Sequence, residues 1–342
     1  MDQSRFQELI GKKRALLADG ATGTTLFDMG LTSGDAPELW NVDEPEKVRT
    51  LHRQFVEAGA DIILTNTFGC NAHRLKLHAA QHRVGELNTA GVLLAREIAN
   101  EVDRDVLVAG SIGPTGELLV PLGALTYQDA VIAFADQIDG LKHGGVDVLW
   151  IETMSAPEEM KAAAEAAAAS GLPFVLTASF DTAGKTMMGL SPAGLGSLTE
   201  QFTCEPVAYG SNCGVGASDL LVATLEITEK YPDALIVAKA NCGIPVIRGD
   251  EVVYTGTPDL MARYTHLALD AGARIIGGCC GTSAHHIAAM RAAMDDHTPG
   301  PRPTSEKIVE QIGPLISPPR SETGQRAHRT SGRRRGRRQD AA

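Results

Sequence analysis

Short apolar runs rich in leucine, isoleucine and valine alternate along this chain with longer, alanine-rich amphipathic segments. Apolar strands that alternate with helices indicate a parallel sheet whose two faces are covered by helices. Eight such units predict an α/β protein with a (β/α)8 TIM barrel, and a doubly wound open sheet is the alternative. The predicted strands are Ala15–Ala18, Asp61–Leu64, Val106–Gly110, Val146–Ile151, Phe174–Ser179, Pro206–Gly210, Leu235–Lys239 and Arg274–Gly277.

Helix boundaries are marked by prolines and glycines. Pro45 and Pro157 stand where a helix favours proline in its first turn, and Gly59, Gly144 and Gly272 stand where helices commonly end. These signals and the helical spacing of apolar residues predict helices at Pro45–Ala58, Val84–Glu101, Tyr127–His143, Pro157–Ser170, Ser218–Tyr231, Pro258–Ala271 and Ser283–Met294.

The apolar runs are too short to span a membrane, and the N-terminus lacks the pattern of a secretory signal. We therefore expect a cytoplasmic protein that does not bind a membrane. In that reducing compartment the 6 cysteines are better explained as metal ligands, reactive groups or core residues than as disulfides.

Charge is unevenly distributed along the 342 residues. The net charge is −11, yet residues 320–342 contain eight arginines against only Glu322 and Asp340. The remaining chain is thus strongly acidic, which argues against nucleic-acid binding by the folded part. We expect a barrel over residues 1–298, a packed or partly ordered extension over 299–316, and a disordered arginine-rich tail over 317–342.

Polar residues follow the predicted strands at the point where each strand ends. In a (β/α)8 barrel these ends meet at one face, where the βα-loops build the active site. The sequence therefore predicts a single site formed by Asp19, Thr65, Asn66, Ser111, Glu152, Cys213, Asn241, Cys279 and Cys280.

Three cysteines are the candidate metal ligands. Cys279 and Cys280 are adjacent, and the glycines on either side permit a turn that directs both side chains inward. With Cys213 they supply three thiolates, which suit zinc and leave a fourth tetrahedral position for a substrate. Small residues filling a strand end, or a vicinal disulfide, are the alternatives for the adjacent pair.

The other cysteines serve as a comparison. Cys70 and Cys204 are interpreted as small apolar residues without a chemical role. Cys242 also follows a strand and is the alternative ligand. His285 and His286 open the helix after the cysteine pair, and we interpret them as mainly structural.

Two carboxylates are the candidate substrate ligands. Asp19 precedes Gly20 and Ala21 in a glycine-rich turn that can cap a helix or form a nest of amide groups for a carboxylate. Glu152 follows a very apolar strand, and a buried acid needs a partner, which the ammonium group of a substrate would supply.

Four further residues are candidates for a pocket that binds a second substrate. Trp40 lies in the long first βα-loop and is either a packing anchor or a wall for a quaternary ammonium group. Thr65, Asn66 and Asn241, which stand at the ends of predicted strands, complete this candidate pocket.

Several of these motifs together resemble the homocysteine S-methyltransferase family. The resemblance runs from about Arg14 to His297 and rests on Asp19–Thr24, Thr65–Phe68, Gly113–Gly116, Ser211–Cys213 and Gly278–Gly281. It implies a zinc-containing (β/α)8 barrel that methylates homocysteine to methionine. It also implies zinc ligation by Cys213, Cys279 and Cys280.

The resemblance further implies how homocysteine is held. Asp19 and Glu152 would bind its amino acid end, and the backbone near Gly20 and Ala21 would receive its carboxylate. This chain departs from the family pattern at Cys242, which occupies the place of a smaller residue and is therefore a weaker ligand candidate.

The methyl donor of such proteins is betaine, S-methylmethionine or a methylcorrinoid carried by another domain or protein. The loop Gly30–Trp40 resembles bacterial betaine–homocysteine methyltransferases, whereas Thr65–Phe68 and Gly116–Gly123 resemble the homocysteine module of cobalamin-dependent methionine synthase. We expect a small donor, betaine, since no segment after the barrel has the length of a corrinoid domain. A scaffold protein with a closed, four-ligand structural zinc site is the alternative of a different class.

Overall fold

The computed structural model of this chain describes residues 5–243, 245–248 and 251–318. The tail that the sequence predicts to be disordered from residue 317 lies, from residue 319 onward, outside the described residues. Among the described helices, none is both long enough and apolar enough to cross a membrane.

Within the described residues the parallel strands form one eight-stranded sheet and an inserted pair forms a separate antiparallel hairpin. In chain order the strands are β1 (Leu16–Leu17), β2 (Ile62–Leu64), β3 (Leu107–Ile112), β4 (Val148–Met154), β5 (Phe174–Ala178), β6 (Ala208–Cys213), β7 (Ile236–Ala240), β8 (Pro245–Arg248), β9 (Glu251–Tyr254) and β10 (Ile275–Gly278). The hairpin consists of β8 and β9, so β10 is the last strand of the large sheet.

The large sheet is a closed barrel. Strands β1 to β7 follow one another in chain order, and β10 lies between β7 and β1. Ala18 pairs with Ile62 across β1 and β2, and the N–H of Asp19 donates to the carbonyl of Ile62 at 3.0 Å. A doubly wound sheet would instead reverse its strand order and keep two open edges. The predicted (β/α)8 barrel is therefore confirmed, and the open sheet is wrong.

Helices cover the outside of the barrel. They are α1 (Arg5–Lys12), α2 (Thr22–Asp28), α3 (Trp40–Asp43), α4 (Pro45–Glu57), α5 (Ala72–Leu75), α6 (Val84–Ala99), α7 (Tyr127–Gly144), α8 (Pro157–Ser170), α9 (Pro192–Thr199), α10 (Ala217–Lys230), α11 (Pro258–Asp270), α12 (Ala284–Asp295) and α13 (Ser305–Gln311). Proline occupies the first turn of α4, α8, α9 and α11, as its fixed φ angle favours.

The predicted strands and helices are all present, and the differences from prediction have physical causes. Strand β6 continues to Cys213 instead of ending at Gly210, because Ser211 and Asn212 pair with β7 despite their polar side chains. The sequence pattern does not predict α9 or the hairpin. Helix α9 is short and contains two glycines, so it lacks a clear amphipathic pattern.

Apolar residues fill the barrel from its N-terminal end. Side chains that point into the barrel, among them Leu16, Leu64 and Trp150, form one buried cluster with Phe6 and Leu9 of α1. Helix α1 thus covers the N-terminal end of the barrel. The polar residues that follow the strands are left at the opposite, C-terminal end.

The segment after α12 packs against the barrel as far as it is described. Ile308 of α13 is fully buried. The carboxylate of Asp219 in α10 accepts the N–H groups of Ile316 and Ser317 at 3.0 and 2.8 Å. The limits proposed for the barrel, the extension and the tail remain predictions.

A buried carboxylate at the N-terminal end provides a test of what holds the barrel together. Asp61 accepts the N–H of Leu17 at 2.9 Å and pairs with Lys13 and Arg291 at 2.5 and 3.2 Å. Replacing Asp61 with Ala should lower the free energy of unfolding by about 2 to 3 kcal/mol, because these partners lose their counter-ion. Urea unfolding followed by circular dichroism measures this change.

The matched control is Asp295→Ala. Asp295 also pairs with Arg291, at 2.7 Å, but its side chain is 64% exposed. Exposed ion pairs contribute little, so this change should lower stability by less than about 0.5 kcal/mol. Equal losses of stability in the two variants would contradict the conclusion that the buried Asp61 contributes more to stability than the exposed Asp295.

Candidate metal centre and active site

A cavity of about 340 Å³ opens at the C-terminal end of the barrel. Most of the residues that the sequence predicts for the site line it, namely Gly20, Ala21, Thr65, Asn66, Ser111, Glu152, Cys213, Cys279 and Cys280. Asp19, Trp40 and Asn241 are described but do not contribute to this lining. The strand ends thus bring residues from distant parts of the chain to one place.

The sulfur atoms of Cys213, Cys279 and Cys280 lie within 4.8 Å of one another. The Sγ atoms of Cys213 and Cys280 are 3.9 Å apart. Cys213 ends β6 and the adjacent pair follows β10, and both strands flank β7 in the barrel. This neighbour relation brings together thiols that are far apart in the sequence.

Local backbone geometry directs the thiols inward. Cys213 adopts a left-handed conformation with φ of 60°, which is unusual for a residue other than glycine. Gly281 also has a positive φ of 76°, and a Cβ atom there would lie 2.3 Å from the Tyr254 side chain. The turn after the cysteine pair therefore requires glycine.

Asn241 joins the two cysteine-bearing turns. Its side-chain N–H donates to the carbonyl of Gly214 at 2.7 Å, and its Oδ1 accepts the N–H of Cys280 at 3.0 Å. Asn241 is buried, so both of these bonds are shielded from water. In the structure this residue braces the sulfur cluster instead of lining the cavity.

The three thiols fit a tetrahedral zinc ion. A Zn–S distance of about 2.3 Å places two sulfur ligands about 3.8 Å apart, close to the separation between Cys213 and Cys280. Contact with Cys213, together with burial, raises the pKa of Cys280 to about 11. A cation is thus needed for three such crowded thiols to ionise together.

Three protein side chains make up the donor set. Within the described part of the chain, no fourth histidine, cysteine, aspartate or glutamate belongs to the sulfur group. Three protein ligands are typical of catalytic zinc sites, and four are typical of structural ones. The described donor set therefore favours the catalytic interpretation over the scaffold.

A buried group of charges lies beside the thiols. The Nζ atom of Lys239 is 2.9 Å from Oδ1 of Asp19, and their side chains are 3% and 1% exposed. The Oδ2 atom of Asp19 accepts the N–H of Leu64 at 2.7 Å. The carboxylate of Glu152 accepts the hydroxyl of Ser111 at 2.5 Å.

Burial and pairing have opposite effects on these groups. Burial raises the pKa of Asp19, and Lys239 and the Leu64 amide lower it in part. Burial likewise raises the pKa of Glu152, and Lys239 opposes this rise. Burial disfavours the charge on Lys239, but the two carboxylates outweigh it and raise its pKa. The lysine therefore stays an ammonium ion.

Lys239 is a candidate functional residue that lies outside the sequence motifs described above. It occurs within the apolar strand Ile236–Ala240, so its charge alone is the available signal. A lysine in a buried strand requires a charged partner. Its position alone does not indicate that the partners are Asp19 and Glu152.

The turn after β1 approaches the rest of the site closely. A Cβ atom at Gly20 would lie 2.3 Å from the carbonyl oxygen of Thr282, so only glycine fits. The N–H of Ala21 donates to that same carbonyl at 2.9 Å. Thr22 and Gly23 begin α2, and the backbone N–H groups in the first turn of a helix have no acceptor within that helix.

Of the residues predicted for the second-substrate pocket, Thr65 and Asn66 line the cavity, whereas Trp40 does not. The amide of Asn66 donates to the carbonyl of Pro37 at 2.8 Å, and Thr65 and Thr67 share a hydrogen bond of 2.6 Å. These bonds shape the cavity wall. Trp40 instead packs against the core, with Nζ of Lys47 4.2 Å from its ring centroid.

A second group of residues lines what we call the outer cavity: Glu38 and Phe68 lie in sequence segments named above, whereas Arg74 and His78 do not. Glu38 is buried, and its Oε1 accepts the N–H of Gly69 at 2.6 Å. Phe68, Arg74 and His78 also line this part of the cavity. The outer cavity thus combines a carboxylate, an aromatic ring and basic groups.

Among the described residues, the other cysteines and the histidines lie outside the sulfur group. Cys70 and Cys242 are fully buried, and Cys204 is exposed. His286 forms a capping box with Ser283 at the start of α12, which confirms its structural interpretation. The backbone N–H of Cys242 donates to the carbonyl of Cys280 at 2.9 Å.

Comparison with known proteins agrees with the geometry. Residues 16–294 match the model of the homocysteine S-methyltransferase family. The chain belongs to this family. It is 30% identical over 313 residues to methionine synthase from Mycobacterium leprae, which covers 87% of this chain and 26% of that protein. The match to the Mycobacterium tuberculosis methionine synthase is 30% over 298 residues, covering 82% and 25%.

The chain thus spans about a quarter of the length of the curated relatives that it matches. A solved structure that matches is the metallated form of the homocysteine methyltransferase MmuM from Escherichia coli. Its TM-score is 0.70 at 25% identity, with 84% of this chain and 99% of that chain covered. The oxidised form of that protein matches with a TM-score of 0.69 at 26% identity, covering 83% and 97%.

The role of Asn241 as a brace can be tested. In Asn241→Ala, the N–H of Cys280 and the carbonyl of Gly214 lose their partner. Zinc affinity should fall about 10-fold or more, because groups that orient metal ligands contribute on this scale. Competition with a chromophoric chelator measures the affinity. Asn100→Ala, on the exposed end of α6, is the control and should leave it unchanged.

Proposed function

We propose that this chain transfers a methyl group from betaine to the sulfur of homocysteine and thereby forms methionine. The sulfur cluster of Cys213, Cys279 and Cys280 at the mouth of the barrel carries the proposal. The free thiols require a reducing compartment, so we place the protein in the cytoplasm.

The three cysteines, which line the cavity, would hold zinc, and the substrate sulfur would supply the fourth ligand. When bound there, zinc would favour the thiolate form of the substrate sulfur over the thiol, and the thiolate is the nucleophile. The cysteine pair and Cys213 would fix the place at which the substrate sulfur arrives.

The charged group beside the cluster would bind the amino acid end of homocysteine. Its ammonium group would pair with the carboxylates of Asp19 and Glu152, which carry more negative charge than Lys239 neutralises. Its carboxylate would bind at the turn after Gly20. Because the N–H of Ala21 is occupied by Thr282, we assign this contact to Thr22 and Gly23 at the start of α2.

The outer cavity supports a small cationic donor. Glu38 and Phe68 offer a carboxylate and an aromatic ring, both of which attract a quaternary ammonium ion. The methyl carbon would leave the betaine nitrogen and form a bond to sulfur, and dimethylglycine would depart. Thr65 and Asn66 would shape the wall between the two substrates.

A methylcorrinoid protein is the second candidate donor. The sequence similarity to mycobacterial methionine synthases, of which this chain spans about a quarter, favours it. Methionine formation from homocysteine distinguishes the donors when betaine, S-methylmethionine and methylcobalamin are supplied separately. Betaine should support turnover, whereas turnover only with methylcobalamin would assign the donor to the corrinoid class.

Replacement of one thiol tests the centre itself. Cys279→Ser should lose zinc and reduce methionine formation about 100-fold or more, because a hydroxyl is a poor zinc ligand at neutral pH. Metal analysis of the purified protein and the methyl-transfer assay measure the two effects. Cys204→Ser, at an exposed position, is the control and should retain both properties. A Cys279→Ser protein with full zinc and full turnover would falsify the proposal.

A further inference from the structure

Lys239 is the most buried positive charge near the site, with a side chain that is 3% exposed. It enters the barrel interior from β7 and lies 5.6 Å from the ring centroid of Trp150. The groups that face it are Asp19 at the end of β1, Glu152 on β4 and Cys279 after β10. Two of these three neighbours are carboxyl groups, and the third is a thiol.

The charges of this group do not cancel. When both carboxyl groups are ionised, Asp19 and Glu152 contribute two negative charges, and Lys239 contributes one positive charge. Burial makes an uncompensated charge costly, so the group has room for one further cation. The ammonium group of an amino acid substrate would complete the balance.

We infer that Lys239 is a positioning residue of the homocysteine site, which keeps Asp19 and Glu152 ionised and in place to receive the substrate ammonium group. This inference rests on the proposed function. It assigns to Lys239 no contact with the reacting sulfur. Instead, Lys239 acts through the carboxylates that it neutralises in part.

Geometry supports this indirect role. The Nζ atom of Lys239 binds Oδ1 of Asp19, while Oδ2 of the same carboxylate is held by the Leu64 amide. Asp19 is therefore fixed at both oxygens. Without the lysine, hydrogen bonds such as those from the Leu64 amide and the Ser111 hydroxyl would remain to oppose burial, and the pKa values of both carboxyl groups would rise further. A protonated carboxyl group would then bind the substrate ammonium poorly.

The test is the pH dependence of homocysteine binding in Lys239→Met. This change removes the charge and keeps a side chain of similar length. Protonation of the carboxyl groups should then compete with the substrate at a higher pH than in the unaltered protein. The ratio of the variant's KM for homocysteine to that of the unaltered protein should reach about tenfold near pH 6.5 and decline toward pH 8.5.

Two further variants separate charge from structure. Lys239→Arg keeps the charge, and its KM should stay within about threefold of the unaltered protein across this pH range. Lys307→Met removes a lysine that pairs with Glu310 on the surface, and its KM ratio should stay near one at each pH. Bound zinc is measured in every sample, so that metal loss is not mistaken for weaker substrate binding.

Opposite outcomes would overturn the inference. A KM ratio for Lys239→Met that does not change with pH, or a loss confined to kcat, would show that the lysine does not control the ionisation of its partners. Should this variant fail to fold, Lys239→Gln enters the same comparison, since it keeps a donor for Asp19 without the charge. If the unaltered protein forms no methionine with any donor, the proposed function fails, which is a separate result.

Discussion

The side-by-side pairing of β6, β7 and β10 is the constraint on which the candidate site depends. Parallel pairing sets the register of neighbouring strands, so Cys213 lies opposite Ala240 and Gly278 lies opposite the same residue from the other side. The N–H of Cys279 then donates to the carbonyl of Ala240 at 2.7 Å. The sulfur cluster is therefore a consequence of barrel closure.

Closure of the barrel also buries charged side chains in its interior, where each needs a partner of opposite charge. Asp19 and Lys239 come from strands that β10 separates, and both are almost completely buried. A charge in such surroundings is stable only with its partner, and an imperfectly paired group adds specificity at a cost in stability. Next to the cluster of thiols, Lys239 thus balances part of the negative charge that Asp19 and Glu152 can carry.

Much of the fold could be predicted because its signals are local. Apolar strands, amphipathic helices and boundary prolines each depend on a few neighbouring residues, and they suffice for the eight units of the barrel. The signals weaken where polar residues enter a paired strand, as at Ser211, or where glycines interrupt a helix, as in Pro192–Thr199. Position after a strand predicted cysteines at one face but did not separate Cys242 from Cys213, Cys279 and Cys280, and the family resemblance favoured these three.

Residue type and position along the chain were sufficient to predict the barrel and to select the three thiols and the two carboxylates as candidates. The groups that they contact depend on the folded barrel. It alone pairs Lys239 with Asp19, occupies the N–H of Ala21 with Thr282, and turns Asn241 from a pocket wall into a brace. The physical reason is that such hydrogen bonds join strands and loops far apart in the chain. Their geometry depends on the register and closure of the whole barrel, which local sequence patterns do not encode.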